Sequence, residues 1–372
     1  MRKILICFGT RPEAIKMCTL VHEMKASKLD VKVCVTAQHR EMLDQVLDFF
    51  EIEPDYDLNL MRPDQSLNEL SGRIFTELDK VLSDEKFDLI FVHGDTTTST
   101  ICALAGFYRG IKVCHVEAGL RTYNKQSPFP EELNRQLTGR IADYHFAPTV
   151  YSKENLIKEG VKQEEILVTG NTVIDSLFWT KCKLDGGYEN ESIRSLKTLV
   201  KPDKKNILVT CHRRENFGDG FINISKALLK IAQQTDVDII FPVHLNPKVQ
   251  EPVQRFLSGH DNIHLISPLD YPAFVWLMDN SYMIISDSGG VQEEAPALGK
   301  PVLVLRDTTE RPEAVAAGTV QLVGVDIETI EKNTLKLLSD RIAYDKMSKA
   351  YNPYGDGKAN GRIVKYILQL SI

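Results

Sequence analysis

Two glycine-bearing turns and a run of carboxylates hold the residues most able to do chemistry. The first turn is GTRPEAIKM, Gly9–Met17. An apolar run ends at Phe8, Gly9 permits a tight turn, and Pro12 suits the first turn of a helix. Arg11 then stands at the helix entrance, and Lys16 lies about one turn further in. Free N–H groups beside Arg and Lys suit a phosphate. A capped helix with solvated charges fits the same spacing. The second turn lies in SDSGGVQEEAPALGKPV, Ser286–Val302. Ser288, Gly289 and Gly290 follow a strand-like run and open a helix, so their N–H groups can cradle a phosphate. Glu293 and Glu294 come next. A carboxylate there can accept hydrogen bonds from ribose hydroxyls, or can simply suit the helix dipole. Neither turn has GxGxxG or Walker spacing, which argues against nicotinamide and P-loop chemistry.

The carboxylates fall in three neighbouring segments. VHGDTTT carries His93 and Asp95, HVEAGLRT carries Glu117 and Arg121, and PFPEELNRQLTG carries Glu131, Glu132 and Arg135. Carboxylates gathered over one substrate can exchange protons near neutral pH. For any single residue a cap or ion pair is the commoner role, but their concentration between 95 and 135 favours a site. Histidines also cluster at strand ends. His115 and His145 read as satisfied core residues, whereas His212 and His244 open charged loops where a ligand role is credible. No HExxH or His/Cys spacing suggests zinc. Phe274, in YPAFVWL, reads by composition as core.

These residues need elements to position them. Short apolar runs alternate with amphipathic stretches, first over Ile4–Phe8, Val31–Thr36, Leu89–His93, Val113–Glu117, Tyr144–Ala147 and Ile166–Thr169. A second series covers Ile207–Thr210, Ile239–Val243, Ile263–Ile266, Met283–Ser286, Val302–Leu305 and Thr319–Val323. Continuous apolar strands separated by helices predict parallel sheets covered on both faces. The fold class is therefore α/β, with two Rossmann-like parallel-sheet domains over 1–175 and 176–355. A C-terminal helix in 356–372 can pack back on the first domain. Ligands of such sheets bind outside the carboxyl ends of the strands. Two facing sheets would then line one cleft.

Composition agrees with this reading. With 43% hydrophobic and 26% charged residues in 372, the chain has ample material for two cores and is not disordered. The net charge of −6 disfavours a nucleic-acid partner. Seven cysteines without CxxC pairs read as reduced, buried thiols of a cytoplasmic protein. No apolar run reaches the ~20 residues of a membrane helix, and the run at the N-terminus is too short for a signal peptide.

The motifs together are specific. GTRPEAIKM, QHREMLDQ, VHGDTTT, HVEAGLRT, SPFPEELNRQLTG, TGNTVID, HRREN, PVHLNP, DSGGVQEEAPALGKPVLVLRDTTERPEA and NPYGDG run in order from residue 9 to residue 357. The chain resembles the bacterial non-hydrolysing UDP-N-acetylglucosamine 2-epimerases over essentially its whole length. The resemblance implies a glycosyltransferase-B-type fold with a UDP-binding C-terminal domain. It also implies interconversion of UDP-GlcNAc and UDP-ManNAc without metal or other cofactor. It puts Arg11 and Lys16 near the diphosphate, and makes His244, Ser288, Gly289, Gly290, Glu294 and Arg311 nucleotide contacts. Phe274 becomes the uracil platform, against its reading by composition. Asp95, Glu117, Glu131, Arg135 and His212 match positions implicated in catalysis. A homodimer is implied, as is a second UDP-GlcNAc acting as activator near Gln38, Glu41 and Arg213. Position 41 is Glu where some relatives carry Gln. A hydrolysing epimerase, an epimerase of a modified UDP-diacetamido sugar, a glycosyltransferase of the same fold and a catalytically inert nucleotide-sugar sensor are the competing readings.

Overall fold

The computed structural model describes residues 2–37, 40–60, 62, 64–201 and 203–370. Gln38 therefore lies outside the described residues, as does the side chain of Glu41. Packing divides the chain into two units, Met1–Trp179 with Tyr354–Ile372, and Thr180–Pro353. The expected boundary at 175/176 falls inside the helix Thr172–Asp185.

The first unit holds a seven-stranded sheet. Its strands are β1 (Lys3–Phe8), β2 (Asp30–Val35), β3 (Tyr56–Asp57), β4 (Leu89–His93), β5 (Lys112–Val116), β6 (Tyr144–Ala147) and β7 (Ile166–Val168). All neighbours pair in parallel in the order β3-β2-β1-β4-β5-β6-β7. The second unit holds β8 (Lys205–Thr210), β9 (Val237–Pro242), β10 (Ile263–Ile266), β11 (Met283–Ser286), β12 (Val302–Val304) and β13 (Val320–Leu322). These are also parallel, in the order β10-β9-β8-β11-β12-β13. The α/β class with two parallel sheets is as the apolar runs predict.

The strand order explains where the polar turns sit. It reverses between β1 and β4 in the first sheet, and between β8 and β11 in the second. At such a switch point the loops leave in opposite directions and open a crevice at the carboxyl ends. The loops bearing Gly9–Arg11 and Gly94–Asp95 follow β1 and β4. Those bearing His212–Arg213 and Asp287–Gly290 follow β8 and β11. Each unit thus presents its charged residues at its own switch point.

The strands are buried because helices cover both faces. Leu5, Cys7, Ile90 and Val92 pack on the helix Leu67–Asp84 through Leu70, Ile74 and Leu78. In the second unit Ile207, Val209, Ile239 and Phe241 pack on the helix Asp219–Gln234 through Ile224, Leu228 and Ile231. All seven cysteines are free, and all but the exposed Cys182 are buried. The expectation of buried thiols thus fails at Cys182, which stands on the solvent side of its helix.

The tail belongs to the first unit. The helix Ala359–Gln369 is capped by Asp175, which accepts from Ala359 N at 3.1 Å and Asn360 N at 2.9 Å. Asn360 then donates to Thr19 Oγ1 at 2.9 Å, and Thr19 lies 2.9 Å from Ser176 Oγ. No described helix is long and apolar enough to cross a membrane.

Candidate active site

In the first unit the turn after β1 is built around a residue that sequence reading passed over. Glu13 is buried, and its Oε2 accepts from Gly9 N at 3.0 Å, Thr10 N at 2.8 Å and Thr10 Oγ1 at 2.8 Å. Its Oε1 accepts from Thr96 Oγ1 at 2.6 Å and Ser99 Oγ at 3.0 Å. One carboxylate therefore ties the Arg11 turn to the turn that follows Asp95. The sequence signal was a Glu three residues after a Thr at a helix start, the capping-box spacing. Gly9 is required here by close approach, since a Cβ would stand 1.9 Å from Thr36 Oγ1. Arg11 occupies the first position of the helix Arg11–Ala26.

Glu117 follows β5 in a left-handed conformation, φ +61°, which non-glycine residues adopt only when their surroundings hold them there. Its carboxylate is held by Lys16 Nζ, by Asn171 Nδ2 at 2.8 Å, and lies 3.6 Å from His93 Nε2. Lys16, expected near a diphosphate, is thus paired with Glu117, one of the expected acid/base residues. Gly94, φ +62°, presents its α-carbon towards Glu117, where a Cβ would sit 3.7 Å from Oε1. His115 Nε2 lies 2.7 Å from Gly94 O and so fixes the turn before Asp95. Burial, with the neighbouring His145, pushes the His115 pKa down to about 3, and burial with Arg121 lowers His145 to about 4. Both rings are neutral core residues.

Asp95 pairs with Arg135 Nη2 rather than with Glu117. Arg135 Nη1 also lies 3.4 Å from Glu132 Oε2. Glu132 is buried and serves the fold: it accepts from Thr122 N and Tyr123 N, both at 2.9 Å, and from Gln136 Nε2 at 2.7 Å. Burial opposes its charge, but those donors and Arg135 hold the carboxyl below its ordinary value. The adjacent Glu131 differs. It opens the helix Glu131–Ile141, and its buried Oε2 has no hydrogen-bond partner among the described residues. Of two neighbouring carboxylates, Glu132 is committed to structure, whereas Glu131 keeps an oxygen that no described residue satisfies.

In the second unit the buried Asp287, at the end of β11, organises the loop after β8. It accepts from His212 N at 3.0 Å, Arg213 N at 2.8 Å and Asn216 Nδ2 at 3.1 Å. The His212 ring stacks on His244 at 5.7 Å between centroids. Partial burial lowers the His212 pKa, Asp287 opposes that shift, and Arg213 and His244 add to it. His244 Nδ1 accepts from Asn246 N at 3.1 Å, which leaves Nε2 to carry the proton of a neutral ring.

Gly289 opens the helix Gly289–Ala297. A Cβ there would lie 3.4 Å from both Arg311 Cζ and Glu310 Oε1, and 3.6 Å from Arg213 Nη2. Two guanidiniums therefore converge on the head of a helix, an arrangement that favours a phosphate. Glu310, which sequence reading also missed, holds them there. Its Oε1 lies 3.1 Å from Arg213 Nη2 and 3.5 Å from Arg311 Nη1, while its Oε2 pairs with Arg306. Burial resists this charge, but Arg311, Arg213 and Arg306 bring the Glu310 pKa down to about 2. Arg213, assigned by resemblance to a second-ligand site, thus stands at the same turn as Arg311. Arg311 also donates through Nε to Glu293 at 2.7 Å. Glu294 takes a hydrogen bond from Tyr271 OH at 2.8 Å, which orients its carboxylate. Phe274 is half-buried on the helix Tyr271–Asp279, most of which is buried.

Similarity to known proteins identifies the family. The family model for UDP-N-acetylglucosamine 2-epimerase matches residues 22–368. The UDP-N-acetylglucosamine 2-epimerase of Yersinia pestis is 57% identical over 366 residues, covering 98% of this chain and 97% of that one. That of Campylobacter jejuni is 54% identical over 375 residues, with coverage of 99% and 98%. The crystal structure of the Neisseria meningitidis UDP-GlcNAc 2-epimerase bound to UDP-GlcNAc superposes with a TM-score of 0.92 at 51% identity, covering 99% of this chain and 100% of that one. By sequence and by fold, the chain belongs to the UDP-N-acetylglucosamine 2-epimerase family.

Proposed function

We propose that this protein interconverts UDP-GlcNAc and UDP-ManNAc by eliminating UDP to 2-acetamidoglucal and adding it back, without releasing free sugar. The observation that carries the reading is Glu117, a carboxylate held at positive φ by Lys16 and Asn171 in a chain of this family. Carbon 2 of the sugar has no adjacent carbonyl, so direct loss of its hydrogen is too costly. Cleavage of the anomeric C1–O bond sends the electron pair to the diphosphate oxygen and makes C1 oxocarbenium-like. A base then takes the C2 hydrogen as a proton, and the C–H electrons form the C1=C2 double bond. In the return step the diphosphate oxygen attacks C1, and a proton arrives at the other face of C2.

Each step has candidate residues. The departing diphosphate is stabilised by the helix head at Ser288–Gly290, by Arg311, and by Arg11, Lys16 and His212. Uracil stacks on Phe274, and Glu294 takes the ribose hydroxyls. Asp95, Glu117 and Glu131 are the acid/base groups, with Arg135 on Asp95 and Lys16 on Glu117. In the same reading the protein is a cytoplasmic homodimer that supplies ManNAc units for surface polysaccharide. A second UDP-GlcNAc activates it through Gln38, Glu41 and Arg213. Activation would give sigmoidal kinetics and poor turnover of UDP-ManNAc alone.

The cleavage step can be tested with UDP-GlcNAc carrying oxygen-18 in the bridge between C1 and phosphorus. Reversible C–O cleavage lets the label move to a non-bridging phosphate position, read by ³¹P NMR. Epimerisation with the label fixed in the bridge would eliminate this route.

A further inference from the structure

The contact between Asn171 and Glu117 goes beyond holding a strand end. Asn171 is buried in the TGNTVID segment, in the loop between β7 and the helix Thr172–Asp185. Its Oδ1 accepts from Val173 N at 3.1 Å, so its amide is oriented and Nδ2 must face the other way. Nδ2 donates to Glu117 Oε2 at 2.8 Å. Its backbone is fixed from a third side, since Asn171 N donates to Tyr354 O at 2.7 Å. That contact depends on two glycines. A Cβ on Gly170, φ +87°, would stand 3.3 Å from Gly355 Cα, and one on Gly355, φ +132°, would stand 3.4 Å from Gly170 Cα. The segment NPYGDG therefore supports the Asn171 loop directly.

We propose that Asn171 is a positioning residue for the reaction: it aims the Glu117 carboxylate and favours its ionised form, and the returning segment at Tyr354 holds Asn171 in place. This rests on the reading of Glu117 as an acid/base group. The carboxylate also faces Lys16, from the helix Arg11–Ala26, and His93, from β4. Lys16 is a long cation with free rotation about its ammonium, so it attracts the carboxylate without fixing its plane. Asn171, held at three points, fixes it.

Two substitutions separate this role from helix capping, because Asp and Ser cap helices about as well as Asn. Asn171→Ser keeps the cap and loses the donor to Glu117. Asn171→Asp keeps the cap and sets a second carboxylate against Glu117, which makes ionisation harder. Each is measured for kcat and KM with UDP-GlcNAc, UDP affinity by calorimetry, Tm, and the pH dependence of kcat. Both should lower kcat by roughly tenfold to a hundredfold, the range for a lost hydrogen bond to a buried charge, with UDP affinity and Tm near wild type. Asn171→Asp should in addition move the acidic limb of the kcat profile to higher pH. Wild-type kcat and profile in both variants would overturn the proposal. So would a loss of kcat no larger than the loss of folded protein, which would make the role structural. If the wild type itself leaves UDP-GlcNAc unchanged, the epimerase reading fails rather than this one.

Discussion

Glu13→Ala should destabilise the first unit by about 3–5 kcal/mol, and Glu13→Gln by only about 1–2 kcal/mol. The difference follows from which donors can turn. Oε2 faces Gly9 N and Thr10 N, and neither backbone N–H can be reversed. Oε1 faces the hydroxyls of Thr96 and Ser99, which rotate. A glutamine can therefore keep its oxygen on the backbone and direct its amide at the hydroxyls. Ser99 already has His93 O as a second acceptor, so it can donate there and accept from the amide. Alanine offers no acceptor, and two backbone donors are left buried at ~1–3 kcal/mol each, together with the hydroxyls. At ~2–4 °C per kcal/mol for a unit of this size, the alanine variant should unfold about 10 °C below wild type. Calorimetric or far-UV circular dichroism melts read this directly, with epimerase assays at a temperature where all three proteins are folded. Equal melting of the two variants, or an alanine variant within ~1 kcal/mol of wild type, would refute the idea that this carboxylate ties the Arg11 and Asp95 turns together.

Other perturbations bear on separate parts of the structure. Asp95→Asn should abolish epimerisation while UDP affinity survives, and retained turnover would remove Asp95 from the acid/base set. Glu310→Ala removes the carboxylate shared by Arg213, Arg306 and Arg311, at a cost of roughly 3 kcal/mol. Its loss in chemical denaturation should shrink as salt rises; a loss below ~1 kcal/mol would mean that the arginines find other partners. Asp175 titrates near pH 6 because burial raises its pKa against the N–H donors of Asn360 and Ala359. Its folded pKa exceeds the unfolded value of ~3.9, so its contribution is full below that value and is lost as pH rises through about 6, by about 2–3 kcal/mol. Urea unfolding at pH 4.5 and 7 should show that decline in the wild type and its absence in Asp175→Asn; parallel profiles would refute it.

Much of this architecture was legible because parallel strands are buried on both faces and so leave continuous apolar runs. Leu89–His93, Tyr144–Ala147, Ile263–Ile266 and Met283–Ser286 fall where those runs lie. The strand Tyr56–Asp57 left no such trace, since it is a two-residue edge with one exposed side chain. The two switch points were legible as polar residues following apolar runs. The groups that brace them were not. Glu13, Asp287 and Glu310 are carboxylates whose meaning lies in donors supplied by distant segments, 83 to 97 residues away in the case of Thr96 and Arg213. The same holds for Lys16 with Glu117 and Asn171 with Glu117. Sequence spacing shows a charged residue, whereas only the fold shows whether its partner is a neighbour, a ligand or another charge. Glu131 and Glu132 make the point at adjacent positions: the helix turn points one at two backbone donors and leaves the other an oxygen with no partner among the described residues.

Proton NMR of the protein with UDP-GlcNAc in D₂O tests the proposed chemistry most directly. UDP-ManNAc should appear with deuterium at C2, the recovered UDP-GlcNAc should gain deuterium at the same carbon, and no free sugar should build up. Accumulation of free ManNAc with UDP, or UDP-ManNAc that keeps its C2 hydrogen, would contradict elimination and re-addition within one site.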